Sequence, residues 1–275
     1  MIAIENLEFS YSNHRIFSNV SMNLRRGAIY GLLGPNGVGK TTLLKIISSL
    51  IPDYKGTCLV NGLNGAERSP EFLSNIFYLH ESPVVLNEVV EEFVKSNGAF
   101  YPNFSIDDFY HLAKVFEIDP KQKFYKMSTG QQKKAFISYA LSLHTDVLLM
   151  DEPTNGLDIP SKTQFRKVMS EFFYENSTII ISTHQVRDLE NLIDPIIILE
   201  ENGVLLNASL EEISQKLEFS LQSQASSEAL YCEPTLGGYV QVQLNTSDRE
   251  TNVNIEALYN TVISNKELIK SIFNK

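Results

Sequence analysis

The chain has 275 residues, 43% hydrophobic and 20% charged, which suits a packed globular protein and excludes bulk disorder. Asp+Glu outnumber Lys+Arg by 33 to 23, and the formal net charge of -10 argues against nucleic-acid binding spread over the surface. Two distant cysteines, Cys58 and Cys232, lack metal-ligand spacing, so neither a disulfide framework nor a zinc site is expected.

The length suits one large domain, or one domain with an appendage. Its longest aliphatic runs, such as Val147–Met150 and Ile196–Leu199, fall far short of the about 20 residues a membrane span needs. Met1–Ser10 shows no basic stretch followed by an apolar core, so no signal peptide is expected. A soluble, cytosolic chain is the resulting expectation.

In chain order, Met1–Phe9 alternates apolar and polar residues, and Val20, Met22 and Leu24 repeat the pattern, predicting antiparallel strands. Arg26-Gly27 makes a turn. Ala28–Leu33 is an apolar run that ends in a glycine loop, Gly34–Gly39. Leu43, Leu44 and Ile47 then fall at helical spacing, and the helix closes before Pro52. From about 84 to 145 the spacing is helical: Val85, Val89, Phe93, then Phe109, Leu112, Ala113, Phe116, then a stretch from Ser128 through Ala135 and Leu141. Val147–Met150 and Thr178–Ile181 are β-branched or aliphatic runs of the kind found in buried parallel strands, with a helix over Ser161–Phe173 between them. A boundary is expected near Leu205. Beyond it, Leu210–Leu217 predicts a short helix, Ser220–Ser227 a Ser/Gln-rich stretch, Tyr239–Leu244 a strand, and Ile255, Leu258, Tyr259, Val262 a helix. Residues 206–275 then make a small α+β element, near the lower limit for an independent core and expected to pack on the main domain.

Gly34-Pro35-Asn36-Gly37-Val38-Gly39-Lys40-Thr41-Thr42 matches G-x-x-x-x-G-K-[ST] between a predicted strand and a predicted helix. Its glycines let successive N–H groups wrap a phosphate, and the helix N-terminus adds favourable potential. Lys40 would reach the β- and γ-phosphates, the Thr41 hydroxyl would ligate Mg²⁺, and Thr42 would touch the α-phosphate. A second motif, Val147–Met150 followed by Asp151-Glu152-Pro153, ends a buried strand in two carboxylates. Asp151 would be a Mg²⁺ partner, and Glu152 would polarise an attacking water.

Between these motifs lies Met127-Ser128-Thr129-Gly130-Gln131-Gln132-Lys133, which resembles the LSGGQ signature of ATP-binding cassette (ABC) ATPases. Thr154-Asn155-Gly156-Leu157-Asp158 resembles their D-loop, and Ser182-Thr183-His184 their switch histidine. Tyr11 is placed like the aromatic that stacks on adenine. Order and spacing agree over residues 1 to about 205. The resemblance implies a P-loop NTPase of the ABC ATPase fold, an α/β architecture with a mixed core sheet, an antiparallel β subdomain and a helical insert. The C-terminal α+β appendage follows it. It also implies two copies sandwiching two ATP molecules. Ser128, Gly130, Gln131 and the N–H groups near them would meet the γ-phosphate held by the other copy, His184 would hold the γ-phosphate, and Asp158 would cross the seam. Read singly, Asp158 could instead cap the following helix.

Two departures stand out. Thr129 replaces the first signature glycine, and Glu81 occupies the slot of the Q-loop glutamine, where its carboxylate can still ligate Mg²⁺. The resemblance implies an ATPase subunit that drives a separate transmembrane permease, as an exporter of the ABC-2 type, with a homodimer or a paralogous cassette as the second half. That would place it on the inner face of the membrane, with no nucleic-acid partner. Val84, Val85, Leu86 and Phe93 are candidates for lining the groove that receives the permease; the alternative is that they are core of the insert. A soluble, non-transport ABC ATPase, for example in iron–sulfur assembly or on the ribosome, is the competing reading. A small-molecule P-loop kinase would need neither signature nor switch histidine.

Overall fold

The computed structural model describes residues 1–82, 86–246 and 250–273. The N-terminal alternation becomes β1 (Ile2–Tyr11) and β2 (His14–Leu24), paired antiparallel with Ile4 opposite Met22 and Leu7 opposite Val20. β3 (Ala28–Leu33), buried throughout, runs through the glycine loop into α1 (Lys40–Ile47). β4 (Lys55–Val60) and β5 (Leu63–Asn64) follow, then α2 (Pro70–Ser74) and β6 (Ile76–Leu79). The expected helical insert contains α3 (Val90–Gly98), α4 (Ile106–Val115) and α5 (Thr129–Ser142). Next come β7 (Val147–Asp151), α6 (Ile159–Phe172), β8 (Thr178–Ser182), β9 (Ile196–Glu200) and β10 (Gly203–Ala208). The C-terminal part holds α7 (Leu210–Lys216), β11 (Leu217–Gln222), β12 (Tyr231–Thr235), β13 (Gly238–Leu244), α8 (Ile255–Ser264) and α9 (Lys266–Phe273).

Among the described residues the strands form three sheets, in the orders β2-β1-β4-β5, β10-β9-β3-β8-β7-β6 and β11-β13-β12. The first and third are antiparallel. In the second, β9, β3, β8, β7 and β6 run parallel, and β10 closes one edge antiparallel to β9. Strand alternation divides the core. Tyr30, Leu32, Val147, Leu149, Ile180, Ile197 and Leu199 face α1 and the antiparallel sheet. Ile29, Leu33, Leu148, Met150, Ile179, Ile181, Ile196 and Ile198 face the insert, α6 and the C-terminal part.

Several boundaries differ from expectation. Position 205 falls inside β10, which is hydrogen-bonded into the main sheet, so the main sheet extends to Ala208. Ser220 to Gln222, the start of the Ser/Gln-rich stretch, belong to β11 and pair with Gln241, Val240 and Tyr239. The helix expected from Ser161 starts at Ile159, capped by Asp158 and with Pro160 in its first turn, where proline lacks no needed N–H. Phe93 lies edge-to-face on Phe124, Phe136 and Tyr139 at 5.4–5.7 Å and packs partly buried against the core of the insert. Leu86 also packs partly buried against the core, while Val84 and Val85 lie outside the described residues.

The C-terminal elements share the second core cluster: Ile213, Leu217, Val242, Leu258 and Val262 are buried with Leu189, Ile193 and Ile196. Leu258→Ala removes a fully buried side chain from this continuous core and should cost about 2–5 kcal/mol. Urea unfolding should show a lower midpoint in one transition; a separate early transition with the ATPase part unaffected would show that the C-terminal part folds by itself.

Candidate active site

The glycine loop connects β3, at the centre of the main sheet, to α1. Gly39 stands at φ 112° as the residue before α1, and a Cβ there would lie 2.6 Å from Ile16 Cγ2 and 3.0 Å from Phe17 Cζ. Only glycine fits both the backbone and the space. Pro35, Asn36 and Gly37 are exposed at the crest of the loop, while Gly34 is buried and Val38 half-buried. Lys40 Nζ donates to the carbonyls of Gly34 and Pro35 at 2.8 and 3.2 Å, so the ammonium sits inside the loop. Burial lowers the Lys40 pKa, and the carboxylates of Glu152, Asp151 and Glu81 pull the other way. Thr42, next to Thr41 in the first turn of α1, is buried.

Thr41 Oγ1 donates to Asp151 Oδ2 at 2.7 Å, joining residues 110 positions apart. Asp151 ends β7 and is buried, and it accepts two further hydroxyls: Ser182 Oγ to Oδ1 at 2.6 Å and Tyr78 OH to Oδ2 at 3.1 Å. Burial, then the charge and hydrogen bond of Asp151, raises the Tyr78 pKa far above the ordinary phenol range. Glu152 turns out of the strand at φ 46°, the left-handed region, with its N–H donated to the Ser182 carbonyl and hydroxyl, both at 3.1 Å. That turn aims the carboxylate at His184, whose Nδ1 lies 2.9 Å from Glu152 Oε1. The structure thus brings Lys40, Thr41, Asp151, Glu152 and His184 to one end of the sheet.

Glu81 joins them. Its Oε1 accepts from Asn155 Nδ2 at 2.8 Å, linking the segment after β6 to the loop after β7. Lys133, buried on α5, donates to the carbonyls of Glu152 at 3.1 Å and Asn155 at 2.8 Å. Tyr11 ends β1 half-exposed, edge-to-face on Phe9 at 4.8 Å.

The signature residues lie elsewhere on this chain. Ser128, Gly130 and Gln131 border a concave surface with Lys134, Gly156, Leu157, Asp158 and Ser161, without any glycine-loop residue. Ser128 caps α5 in a reciprocal box: its Oγ accepts from Gln131 N at 3.3 Å, and its N–H donates to Gln131 Oε1 at 3.0 Å. Asp158 caps α6, with Oδ1 accepting from Ser161 N at 3.0 Å, and these hydrogen bonds lower its pKa. The capping role that composition allowed for Asp158 is therefore real, whatever else the residue does. Sequence reading assigned no role to Tyr78, Ser182, Asn155 or Lys133. Ser182, Asn155 and Lys133 lie inside quoted motifs and Tyr78 lies three residues before Glu81, but only the folded register shows which carboxylate or carbonyl each meets.

Among the described residues, no cluster of three or more His, Cys, Asp and Glu side chains is arranged to hold a metal by itself, and no helix is long and apolar enough to cross a membrane.

The ABC transporter family model matches residues 17–155. The ABC transporter ATP-binding protein YtrB of Bacillus subtilis is 28% identical over 218 residues, covering 78% of this chain and 74% of that protein. The lantibiotic transport ATP-binding protein SrtF of Streptococcus pyogenes is 30% identical over 226 residues, covering 82% and 97%. A solved structure of the ATP-binding subunit of an ABC transporter is 25% identical, with a TM-score of 0.70 over 78% of this chain and 91% of that one. With the glycine loop, the Asp151–Glu152 pair and His184 gathered at one end of its main sheet, the chain belongs to the ABC transporter family as an ATP-binding, ATP-hydrolysing subunit.

Proposed function

We propose that this chain binds ATP·Mg²⁺ in the Gly34–Thr42 loop, closes on a second cassette with the nucleotide between them, and uses hydrolysis to drive a separate membrane subunit in export. The observation that carries the reading is the joining of Thr41 to Asp151 beside the Glu152–His184 pair. Thr41 and Asp151 offer hard oxygens of two kinds, hydroxyl and carboxylate, in contact with one another. That suits Mg²⁺, which takes few protein ligands and completes its shell from phosphate and water. Glu81 would add a third oxygen. The bound ion would neutralise charge on the transferred phosphoryl group.

Each protein group then has a task. The loop N–H groups and Lys40 hold the phosphates, and Tyr11 stacks on the base. Glu152, turned toward His184, orients water for attack, and His184 holds the γ-phosphate side. Ser128, Gly130 and Gln131 lie apart from the chain's own loop, so on this reading they serve the nucleotide of the other copy, with Asp158 at the seam. The second cassette is a further copy or a paralogue. Export by a separate permease rests on the similarity to SrtF, a lantibiotic transport protein, and the helical insert would be the surface the permease meets. Through that permease the chain would sit on the inner face of the membrane.

Glu152→Gln should keep ATP binding while turnover falls by about 100-fold or more, and light scattering should find a dimer with ATP and Mg²⁺. Near-normal turnover removes Glu152 from the role of base, and a persistent monomer counts against the sandwich. Lys40→Ala should lose nucleotide binding in a fluorescent-ATP titration, because it leaves the phosphates without their buried cation; unchanged affinity would refute the assignment. Ser128→Ala removes a helix cap and should cost about 1 kcal/mol of stability. On the proposed reading it also weakens ATP-driven dimerisation while binding by the monomer survives. Equal dimerisation in wild type and variant would leave Ser128 with the cap alone.

A further inference from the structure

Lys133 is an unusual residue for its position. It lies on α5, five residues beyond Ser128 and so about 7.5 Å along the helix axis, with only 6% of its surface exposed. Burying an ammonium is costly unless it is hydrogen-bonded and electrically compensated. Both conditions hold. Two of its three N–H donors go to the carbonyls of Glu152 and Asn155. Burial depresses its pKa, and Glu81, then Glu152 and Asp151, oppose that.

The two carbonyls are not arbitrary. One belongs to the residue that leaves β7 at φ 46° and carries the carboxylate facing His184. The other belongs to the residue whose side chain holds Glu81. A lysine that only fastened α5 to the core could be replaced by an apolar side chain without the desolvation cost. Here the charge stands where three carboxylates gather, and its bonds end on the backbone that aims two of them.

We infer that Lys133 is a positioning residue for ATP hydrolysis: it ties the signature helix to the main chain of Glu152 and Asn155 and so sets the stance of the Glu152 carboxylate and of the Glu81–Asn155 pair. The inference rests on the proposed role of Glu152 and adds a route between the two ends of one chain's site. Ser128 caps the start of α5, and Lys133 reaches the catalytic loop from the same helix. A shift of α5 when the signature engages the other copy's nucleotide is therefore passed to Glu152 within the same chain.

The test uses the full chain with Lys133→Met, which keeps length and loses charge and donors, and Lys133→Arg, which keeps both. Steady-state ATPase, fluorescent-ATP affinity and thermal midpoint are measured for each, with Glu152→Gln alongside. Lys133→Met should lower kcat by about tenfold or more while KM and nucleotide affinity stay within about threefold, and Lys133→Arg should recover most of the loss. If Lys133→Met does not fold, Lys133→Gln, with its neutral N–H donors, must show the same split. An unchanged kcat overturns the inference. So does loss of kcat and affinity together with a fallen midpoint and no recovery in Lys133→Arg, which is the signature of packing alone. Turnover retained by Glu152→Gln removes the premise; turnover lost there but unchanged in Lys133→Met sinks only the role of Lys133.

Discussion

A single buried carboxylate organises this molecule. Asp151 stands at the end of β7 with almost no contact with solvent, and an ionised carboxylate in that setting is costly unless its lone pairs are filled. Three hydroxyls fill them, from α1, from β6 and from the end of β8. Thr41 fixes the glycine-loop helix, Tyr78 the strand that leads to Glu81, and Ser182 the strand that leads to His184. The same Ser182 hydroxyl accepts the N–H of Glu152 and holds it in its left-handed turn. Removing the carboxylate would leave three elements without their common anchor.

That anchor works because of where parallel strands end. β3, β8, β7 and β6 are adjacent in the sheet and run the same way, so their C-terminal ends lie side by side. Leu33 opens into the glycine loop, Ser182 into His184, Asp151 into Glu152, and Leu79 into Glu81. Ligand sites outside the carboxyl ends of an open parallel sheet follow from this geometry. The interiors of these strands are apolar on both faces, since α1 covers one and α6 with the insert covers the other.

Much of this was legible in the residues, and the limits were physical. The glycine loop shows itself because phosphate wrapping, a positive φ and a helix start all demand specific residue types at fixed spacing. Asp151 and Glu152 are visible because four apolar residues precede them. The motifs around Ser128 and Asp158 are visible as residue patterns, but the helix-capping bonds of these two side chains depend on backbone conformation. Tyr78, Ser182 and Asn155 meet Asp151, Asp151 and Glu81 through hydrogen bonds that span 73, 31 and 74 positions, and no local pattern encodes those contacts. β11 was obscured because Ser220 and Gln222 open a Ser/Gln-rich stretch, yet pairing with β13 overrides local preference. β10 was cut at Leu205 because composition changes there while the sheet continues.

Charge completes the account. The whole chain carries a formal -10, but that figure says little about the pocket. There, Glu81, Asp151 and Glu152 face Lys40 and Lys133, and the two ammonium groups are both buried. With all five ionised, the cluster carries one net negative charge before any phosphate arrives. Backbone N–H groups offset part of that, and on the proposed reading a divalent cation arriving with the nucleotide offsets the rest. Glu81 supplies one of those negative charges. Among the residues whose charges meet it, Lys133 is not part of the phosphate loop, so it can balance Glu81 without competing for the triphosphate. Glu81 after β6 and the buried Lys133 on α5 are in this sense one electrostatic arrangement, spread over two segments far apart in the chain.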